Sequence, residues 1–273
     1  MLKNKIPLYV GFMYEVRSMH PGMGLRAMYE QFQPVGIGRD AFIALGLQEG
    51  LRLRSIKSPM KTTWSVKSNR YPNLLGQKRF TAVNQVWVSD IFYFPMEGRH
   101  FYVVLIMDLY SRRIIGYSVA DNLRAENNLK ALQMALQLRG IKNYHNKLIH
   151  HSDRGTQYIC DDYTNTLTDY GILISMCTNV LENAHMERAN GTIKNDYLAR
   201  WNIPNRRALP KFLKKAVDNY NNRWHKSLNR RSPTEFETYV NELEIKNRPV
   251  LEVFTINNHI SDNPLQLKLN FNL

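Results

Sequence analysis

The chain has 273 residues, 44% of them hydrophobic, and a formal net charge of +14. That is enough sequence for one sizeable core with small appendages, and so large a positive charge indicates an anionic partner, nucleic acid before a membrane surface. No run approaches the roughly 18 apolar residues of a membrane span, no secretory signal is recognisable, and Cys160 and Cys177 lack the neighbouring ligands of a zinc site, so a cytoplasmic protein with reduced cysteines is expected.

Residues 1–50 predict a small helical region. Apolar residues recur every three or four positions between Leu25 and Phe32, which predicts a helix over residues 23–32. A second helix is expected over residues 41–49, after a turn that contains one proline and two glycines. Two short helices across such a turn are typical of a helix-turn-helix that binds DNA, and equally of an ordinary helical hairpin.

A basic arm is expected over residues 51–83, with Arg52 and Arg54 at its start. The stretch from residue 51 to residue 89 contains eight lysines and arginines and no aspartate or glutamate. A linker that only needs to be soluble has no reason to exclude acids. The pattern therefore favours an arm that follows a phosphate backbone over a solvated linker.

A core domain is expected over residues 84–240, and residues 241–273 form a tail that the sequence does not assign. Val, Ile, Phe, Tyr and Trp dominate short segments that are separated by turn residues. The predicted strands cover residues 86–94, 101–109, 114–119, 148–151 and 172–176, and the predicted helices cover residues 127–138, 161–170, 182–200 and 208–224. Three strands joined by tight turns form an antiparallel meander, and the remaining strands alternate with helices. The fold class is therefore α/β, a mixed five-stranded sheet with helices on both faces.

Three carboxylates are the candidate site. Asp90 interrupts an apolar strand, Asp153 ends another, and Glu187 lies on a predicted helix. Residues at strand ends gather at one edge of such a sheet. Mg²⁺ and Mn²⁺ prefer oxygen ligands, and two ions about 4 Å apart can hold the attacking and leaving oxygens of a phosphoryl displacement. Taken singly, each residue has an ordinary alternative: a satisfied core aspartate, an Asx-turn residue and a solvent-facing helix charge.

The residues around Glu187 suit a phosphate substrate. Asn183 lies one turn before Glu187 and Lys194 nearly two turns after it, so all three share a face of the predicted helix. From Arg188 to Arg231 the chain has twelve lysines or arginines against two acids. A carboxylate between an amide and an ammonium suits a metal ligand beside a phosphate contact.

His150 and His151 lie on the strand that ends at Asp153. One is expected to point into the sheet and one out of it, and packing or hydrogen bonding is favoured over a metal or general-base role. No glycine-rich phosphate loop with a following lysine occurs, which argues against a nucleotide triphosphatase.

Several motifs resemble one known family, the integrase-core transposases of bacterial insertion sequences whose enzyme is encoded in two overlapping frames. Four core motifs occur in the family's order: Val-Ser-Asp-Ile-Phe-Tyr-Phe at 88–94, His-His-Ser-Asp-Arg-Gly-Thr-Gln-Tyr at 150–158, Glu-Asn-Ala-His-Met-Glu at 182–187 with Lys194, and Tyr-Asn-Asn-Arg-Trp-His at 220–225 before Arg-Ser-Pro at 231–233. His-Pro-Gly-Met-Gly-Leu-Arg at 20–26 and Tyr-Pro-Asn-Leu-Leu at 71–75 match as well. The resemblance extends from about residue 14 to residue 239.

This resemblance implies a ribonuclease-H-like fold and a catalytic triad of Asp90, Asp153 and Glu187 that holds two Mg²⁺ (or Mn²⁺) ions. It implies double-stranded DNA as the substrate, with cleavage of terminal inverted repeats and their transfer into target DNA by a homo-oligomer on the nucleoid. It also implies a second-frame product, whose partner or fusion partner is the first-frame helix-turn-helix protein. The candidate DNA-binding residues are Lys194, Arg154, Arg188, Arg26, Arg39, Arg52 and Arg54.

The spacing of the triad departs from the family. Thirty-three residues separate Asp153 from Glu187, two fewer than is usual, and Glu182 stands where an aspartate is usual. Three functions remain open: a transposase, a catalytically decayed or regulatory DNA-binding remnant, and a nuclease of the same fold that uses water alone. The remnant would bind DNA without metal-dependent nicking, and the nuclease would give no joined products.

Overall fold

The computed structural model describes residues 5–54, 56, 70–142, 148–177, 184–255 and 265–271. The strands are β1 (Arg79–Phe80), β2 (Val86–Met96), β3 (Arg99–Asp108), β4 (Ile114–Ala120), β5 (Ile149–Ser152), β6 (Leu173–Met176), β7 (Val250–Thr255) and β8 (Leu265–Asn270). The α-helices are α1 (Ile6–Met19), α2 (Leu25–Phe32), α3 (Arg39–Gln48), α4 (Ala125–Arg139), α5 (Thr156–Ile159), α6 (Asp161–Asp169), α7 (Ala184–Gly191), α8 (Leu209–Asn222) and α9 (Pro233–Glu242).

Strands β2 to β6 form one sheet in the order β4-β3-β2-β5-β6. β3 runs antiparallel to β2 and β4, whereas β5 runs parallel to β2 and β6. The predicted mixed five-stranded sheet is confirmed, and each strand agrees with its predicted bounds to within two residues. This order places β2 and β5 side by side at the centre of the sheet, and the end of β5 at Ser152 lies beside Ser89 within β2.

Helices cover both faces of this sheet. On one face α4 and α6 bury Leu132 and Leu167 against Trp87. On the other face α7, α8 and α9 contribute to a second core that includes Leu213 and Phe236. Fully burying a Leu or Phe side chain stabilises a fold by roughly 1.5–3 kcal/mol, so the two apolar layers fix α7, which carries Glu187, over the sheet.

The helix expected over residues 182–200 is wrong in its second half. α7 ends at Gly191, and Thr192–Leu198 winds as a π-helix. The N–H of Ala199 donates to the C=O of Lys194, five residues earlier, over 2.9 Å. Hydrophobic periodicity cannot foresee this winding, since the π-helix is rare and depends on its surroundings.

The three N-terminal helices share a small core of their own, which includes Tyr9, Met13, Val16 and Phe42. The helices α2 and α3 are joined by the expected turn. A helical piece was expected only from Tyr14 to the break at Pro21, so the first half of α1 was not predicted, although positions 9, 13 and 16 follow helical spacing; Pro7 and Gly11 fall within that half. DNA binding by this region as a helix-turn-helix stays a prediction.

The tail that the sequence left unassigned contributes a second sheet in which β7 pairs with β1 and β8. Phe80 lies opposite Leu251, and both are buried. The boundaries at residues 50, 83 and 240 stay predictions, and residues 55 and 57–69 of the basic arm lie outside the described residues. No helix in the described ranges has the length and apolarity needed to cross a lipid bilayer.

Candidate active site

Asp90 and Asp153 meet where β2 and β5 run side by side. The two strands are parallel, and their last paired residues are Ser89 and Ser152. Asp90 and Asp153 each follow directly, on strands that lie about 4.8 Å apart. The register of this one strand pair therefore brings together two aspartates that are far apart in sequence, as the sequence analysis expected.

Hydrogen bonds orient the carboxylate of Asp90, whereas its surroundings disfavour the ionised form. The Nδ2 of Asn190 donates to its Oδ2 over 2.8 Å. Burial raises the pKa of Asp90 to about 8, with the negative charge of Asp153 as the next contribution and that of Glu187 a smaller one. The N–H of Ile91 and the amide of Asn190 act in the opposite direction. A cation at this place would relieve the cost of ionising Asp90.

Asp153 begins a turn that orients its side chain. The N–H of Gly155 donates to its Oδ1 over 3.0 Å, which is an Asx-turn. The residue as a whole is exposed, yet desolvation of its carboxyl group raises the pKa, against the effect of the Gly155 N–H. The Asx-turn and the metal-ligand interpretations are thus compatible, because only one carboxylate oxygen accepts the turn hydrogen bond.

Glu187 is the outlying member of the three. It lies in the first turn of α7 and is exposed, and it raises the pKa of Asp90 less than Asp153 does. Among the described residues, no three carboxylate, imidazole or thiol side chains already lie close enough together to hold a metal ion. The structure therefore brings Asp90 and Asp153 together and places Glu187 nearby.

The donor set fits a divalent cation of the Mg²⁺ or Mn²⁺ type. Asp90, within the central strand β2, and Asp153, directly after β5, offer hard carboxylate oxygens, and two such groups with water and phosphate oxygens complete the usual shell. The charges that raise the pKa of Asp90 are both negative. A cation between two desolvated carboxylates would relieve the repulsion that otherwise favours protonation of Asp90.

The neighbouring histidines serve the fold. The Nε2 of His150 lies 2.9 Å from the hydroxyl of Tyr163, and the Nδ1 of His151 lies 2.8 Å from the Oγ of Ser175. Both rings are buried, and burial lowers the pKa of His150 to about 3 and that of His151 to about 4. The expected packing and hydrogen-bonding role is confirmed, although both faces of the strand are buried.

Lys194 lies on the π-helix that follows α7, beside a cleft of about 480 Å³. Phe94, four residues after Asp90 on β2, and Trp201 line the same cleft. Burial lowers the pKa of Lys194. Asn183 lies outside the described residues. Asn190, which sequence reasoning missed, supplies the amide contact, and its spacing of three residues from Glu187 on a helix was the available signal.

The remaining candidate DNA-binding residues fall into two groups. Arg154 and Arg188 directly follow two of the carboxylates, and Arg188 is exposed. The four others lie in the first 54 residues and are also exposed: Arg26, Arg39, Arg52 and Arg54. Arg26 pairs with Glu30 and Arg39 with Asp40 on the surface, where ion pairs contribute little and exchange readily for a phosphate.

Comparison with known proteins relates the chain to one family. The family description "Integrase core domain" matches residues 81–179 and, in a second form, residues 177–233. The chain is 34% identical over 224 residues to a 31 kDa protein of insertion element IS600 from Shigella sonnei, covering 78% of this chain and 80% of that one. It is 32% identical over 173 residues to the transposase of IS904 from Lactococcus lactis, covering 62% and 67%.

Among solved structures, the chain resembles one in the intasome of simian T-cell lymphotropic virus, determined in complex with the PP2A regulatory subunit B56 gamma. The TM-score is 0.53 at 12% identity, and the match covers 94% of this chain and 98% of that chain. At this identity the likeness shows a shared fold.

Proposed function

We propose that this chain, which belongs to the integrase-core transposases of bacterial insertion sequences and acts in DNA transposition, cuts and joins DNA at Asp90, Asp153 and Glu187. The observation that carries the proposal is the close approach of two desolvated aspartates, Asp90 within β2 and Asp153 directly after β5. Elevated pKa values in a like-charged pair are typical of functional sites, since a purely structural core gains nothing from them.

In this proposal Asp90 and Asp153 would supply oxygen ligands to a divalent ion, and Glu187, in the first turn of α7, would supply a further carboxylate. Two Mg²⁺ or Mn²⁺ ions supply Lewis-acid stabilisation of the attacking and leaving oxygens of a phosphodiester. Asn190 and the Ile91 N–H fix the carboxylate of Asp90, and the Gly155 N–H fixes that of Asp153. These hydrogen bonds keep the oxygen ligands in place before DNA arrives, which lowers the cost of assembling the site.

The DNA lies, in this proposal, along the basic surface that follows α7. Lys194 and Arg188 contact phosphates next to the bond that is cut, together with Arg154. The N-terminal arginines Arg26, Arg39, Arg52 and Arg54 contact the duplex farther away and place the terminal inverted repeat. Joining two ends to a target requires more than one copy of the chain, so a homo-oligomer forms on the DNA, and a first-frame helix-turn-helix partner provides additional sequence recognition.

The test is Asp153→Asn, which keeps the oxygen that accepts from Gly155 and removes the charge. Labelled duplexes with the element's end sequence are incubated with the protein and Mg²⁺ or Mn²⁺, and cleaved and joined products are measured beside DNA binding in EDTA. Joining is expected to fall by at least about a thousandfold while binding changes by less than about threefold. Asp162→Asn, an exposed aspartate in α6, is the matched control and should behave as the unchanged protein.

Other outcomes separate the alternatives. Cleavage without joined products would favour a nuclease that uses water. Salt-sensitive binding with no metal-dependent nicking in the unchanged protein would favour the remnant. Joint loss of binding and joining in Asp153→Asn would contradict a metal-ligand role for Asp153.

A further inference from the structure

The π-helix Thr192–Leu198 carries Lys194 and is unusual in its length. Seven residues is long for a winding that proteins mostly use as a single turn, frequently at functional sites. Each extra residue in a helical turn rotates the downstream residues by about 100° relative to an uninterrupted α-helix. Something in the protein must therefore stabilise this winding against the α-helical alternative.

The N-terminal region contacts the π-helix through the segment His20–Gly22. The Nδ1 of His20 lies 2.8 Å from the hydroxyl of Tyr197, and both side chains are buried. Gly22 lies directly on the backbone of Asp196, since a Cβ at position 22 would come within 2.4 Å of the Asp196 Cα. No other residue type fits at position 22 without moving one of the two segments.

Two further hydrogen bonds connect the last residues of α1 to α8 and to the segment that follows the π-helix. The Nδ2 of Asn219 on α8 donates to the C=O of Met19 over 2.6 Å. The Nε1 of Trp201, three residues after the π-helix, donates to the C=O of Ser18 over 3.3 Å. The N-terminal region is thus seated on the element that carries Lys194, with no described contact to the carboxylates.

We propose that the segment His20–Gly22 positions Lys194: its close packing on Asp196 and Tyr197 keeps residues 192–198 in the π-helical winding, and so holds Lys194 at the cleft that Phe94 and Trp201 also line. His20 and Gly22 act through the π-helix and touch no DNA. The N-terminal region then has a second function besides DNA binding, because its packing against the π-helix determines the position of Lys194. The consequence for joining rests on the proposed function of Lys194, whereas the docking itself does not.

The first test measures the winding in the protein without DNA or metal. Gly22→Ala introduces a Cβ against Asp196, whereas Gly24→Ala, two residues later, introduces one that meets nothing within 4 Å. Amide hydrogen exchange is followed by mass spectrometry in the full chain. Exchange over residues 192–199 is expected to accelerate by at least about tenfold in Gly22→Ala and to remain unchanged in Gly24→Ala, with the strands of the core unchanged in both. Equal protection in all three proteins would overturn the proposal.

The second test asks whether the defect acts through Lys194. Strand transfer is measured for Gly22→Ala, Lys194→Gln and the double variant. If docking positions Lys194, Gly22→Ala loses about tenfold or more and the double variant is no worse than Lys194→Gln alone. Fully multiplicative losses would mean that Gly22 serves stability only, and would overturn the proposal.

A third variant covers the case in which Gly22→Ala does not fold. Tyr197→Phe keeps the buried ring and removes the hydroxyl that lies beside His20, so it should give the same exchange and strand-transfer pattern more weakly. If Lys194→Gln itself leaves joining unchanged, the assigned role of Lys194 fails, and the exchange experiment still decides whether the N-terminal segment holds the π-helix.

Discussion

Replacing Asp90 by Asn should make the metal-free protein more stable while abolishing joining. The pKa of Asp90 is raised from 3.8 to about 8, first by burial and then by the charge of Asp153. Between these two values the folded chain holds a proton that the unfolded chain has released. The free energy of unfolding therefore falls by about 1.4 kcal/mol per pH unit as the pH rises from about 4 to about 8.

At pH 7 the ionisation of Asp90 lowers the free energy of unfolding by at most about 4 kcal/mol. Because the side chain is only half-buried and solvent screens its charge, Asp90→Asn is expected to raise the free energy of unfolding by roughly 2 kcal/mol. Asn keeps the shape of the side chain and an oxygen that can accept from Asn190. Urea unfolding in EDTA should show a gain that grows from pH 5 to pH 8 and disappears near pH 4. Asp121→Asn, at an exposed loop aspartate, is the control and should show no such growth.

Mg²⁺ should reverse the order of stability. An ion that binds only the folded state stabilises it by RT ln(1 + [L]/Kd), about 2.7 kcal/mol at one hundred times the dissociation constant, which exceeds the roughly 2 kcal/mol gained by Asp90→Asn. The unchanged protein should gain this amount and Asp90→Asn should not. A gain that is independent of pH, or a variant that is less stable at pH 7 in EDTA, would refute the assignment of Asp90 as a desolvated carboxylate.

Three further changes test the packing and the charges that support the site. The guanidinium of Arg112 is buried, and its Nε and Nη1 have no hydrogen-bond partner among the described residues, so Arg112→Met should leave the free energy of unfolding unchanged or raise it by about 1 kcal/mol; a clear loss in urea unfolding would contradict this. Gly116→Ala would bring a Cβ within 2.2 Å of a backbone oxygen of α4 and should cost about 3 kcal/mol, whereas Gly76→Ala meets nothing within 4 Å and should cost little. Glu237→Gln removes the buried charge that pairs with Arg139 and should cost about 3 kcal/mol at pH 7. Since the pKa of Glu237 is lowered, this deficit should shrink as the pH falls through that pKa.

The sheet was predictable because its strands differ chemically from their surroundings. β2 and β3 consist mainly of aromatic and β-branched residues, and a short turn joins them at Glu97 and Gly98, both with positive φ. Residues of this kind fit a pleated, half-buried surface, and their concentration between turn residues indicates strands from the local sequence. The two aspartates stood out against that background, which is why the sequence identified them.

The elements that sequence reasoning missed depend on distant contacts. β1 and β7 are separated by most of the chain, and their pairing of Arg79 with Glu252 and Phe80 with Leu251 cannot be inferred from either segment alone. The π-helix could not be predicted for the same reason, because it packs closely against a distant residue, with Gly22 against Asp196. Asn190 was missed although it lies in the α-helical part, because the amide contact was sought one turn before Glu187, at Asn183, and not one turn after it.

Buried polar residues on and next to β5 help to fix the register in which β2 and β5 pair, and with it the position of the two aspartates. A slip of one residue between β2 and β5 would turn Asp153 to the opposite face of the sheet. His151 is held by Ser175 on β6, and the hydroxyl of Ser89 on β2 lies 2.8 Å from that of Tyr158, which follows the Asp153 turn. A slip between β2 and β5 would separate the buried Tyr158 hydroxyl from Ser89, and a slip between β5 and β6 would separate His151 from Ser175. The loss of a partner at a buried polar group costs roughly 1–3 kcal/mol. The polar pairs therefore add little to stability in the correct register, but they exclude the registers in which the two carboxylates would not meet.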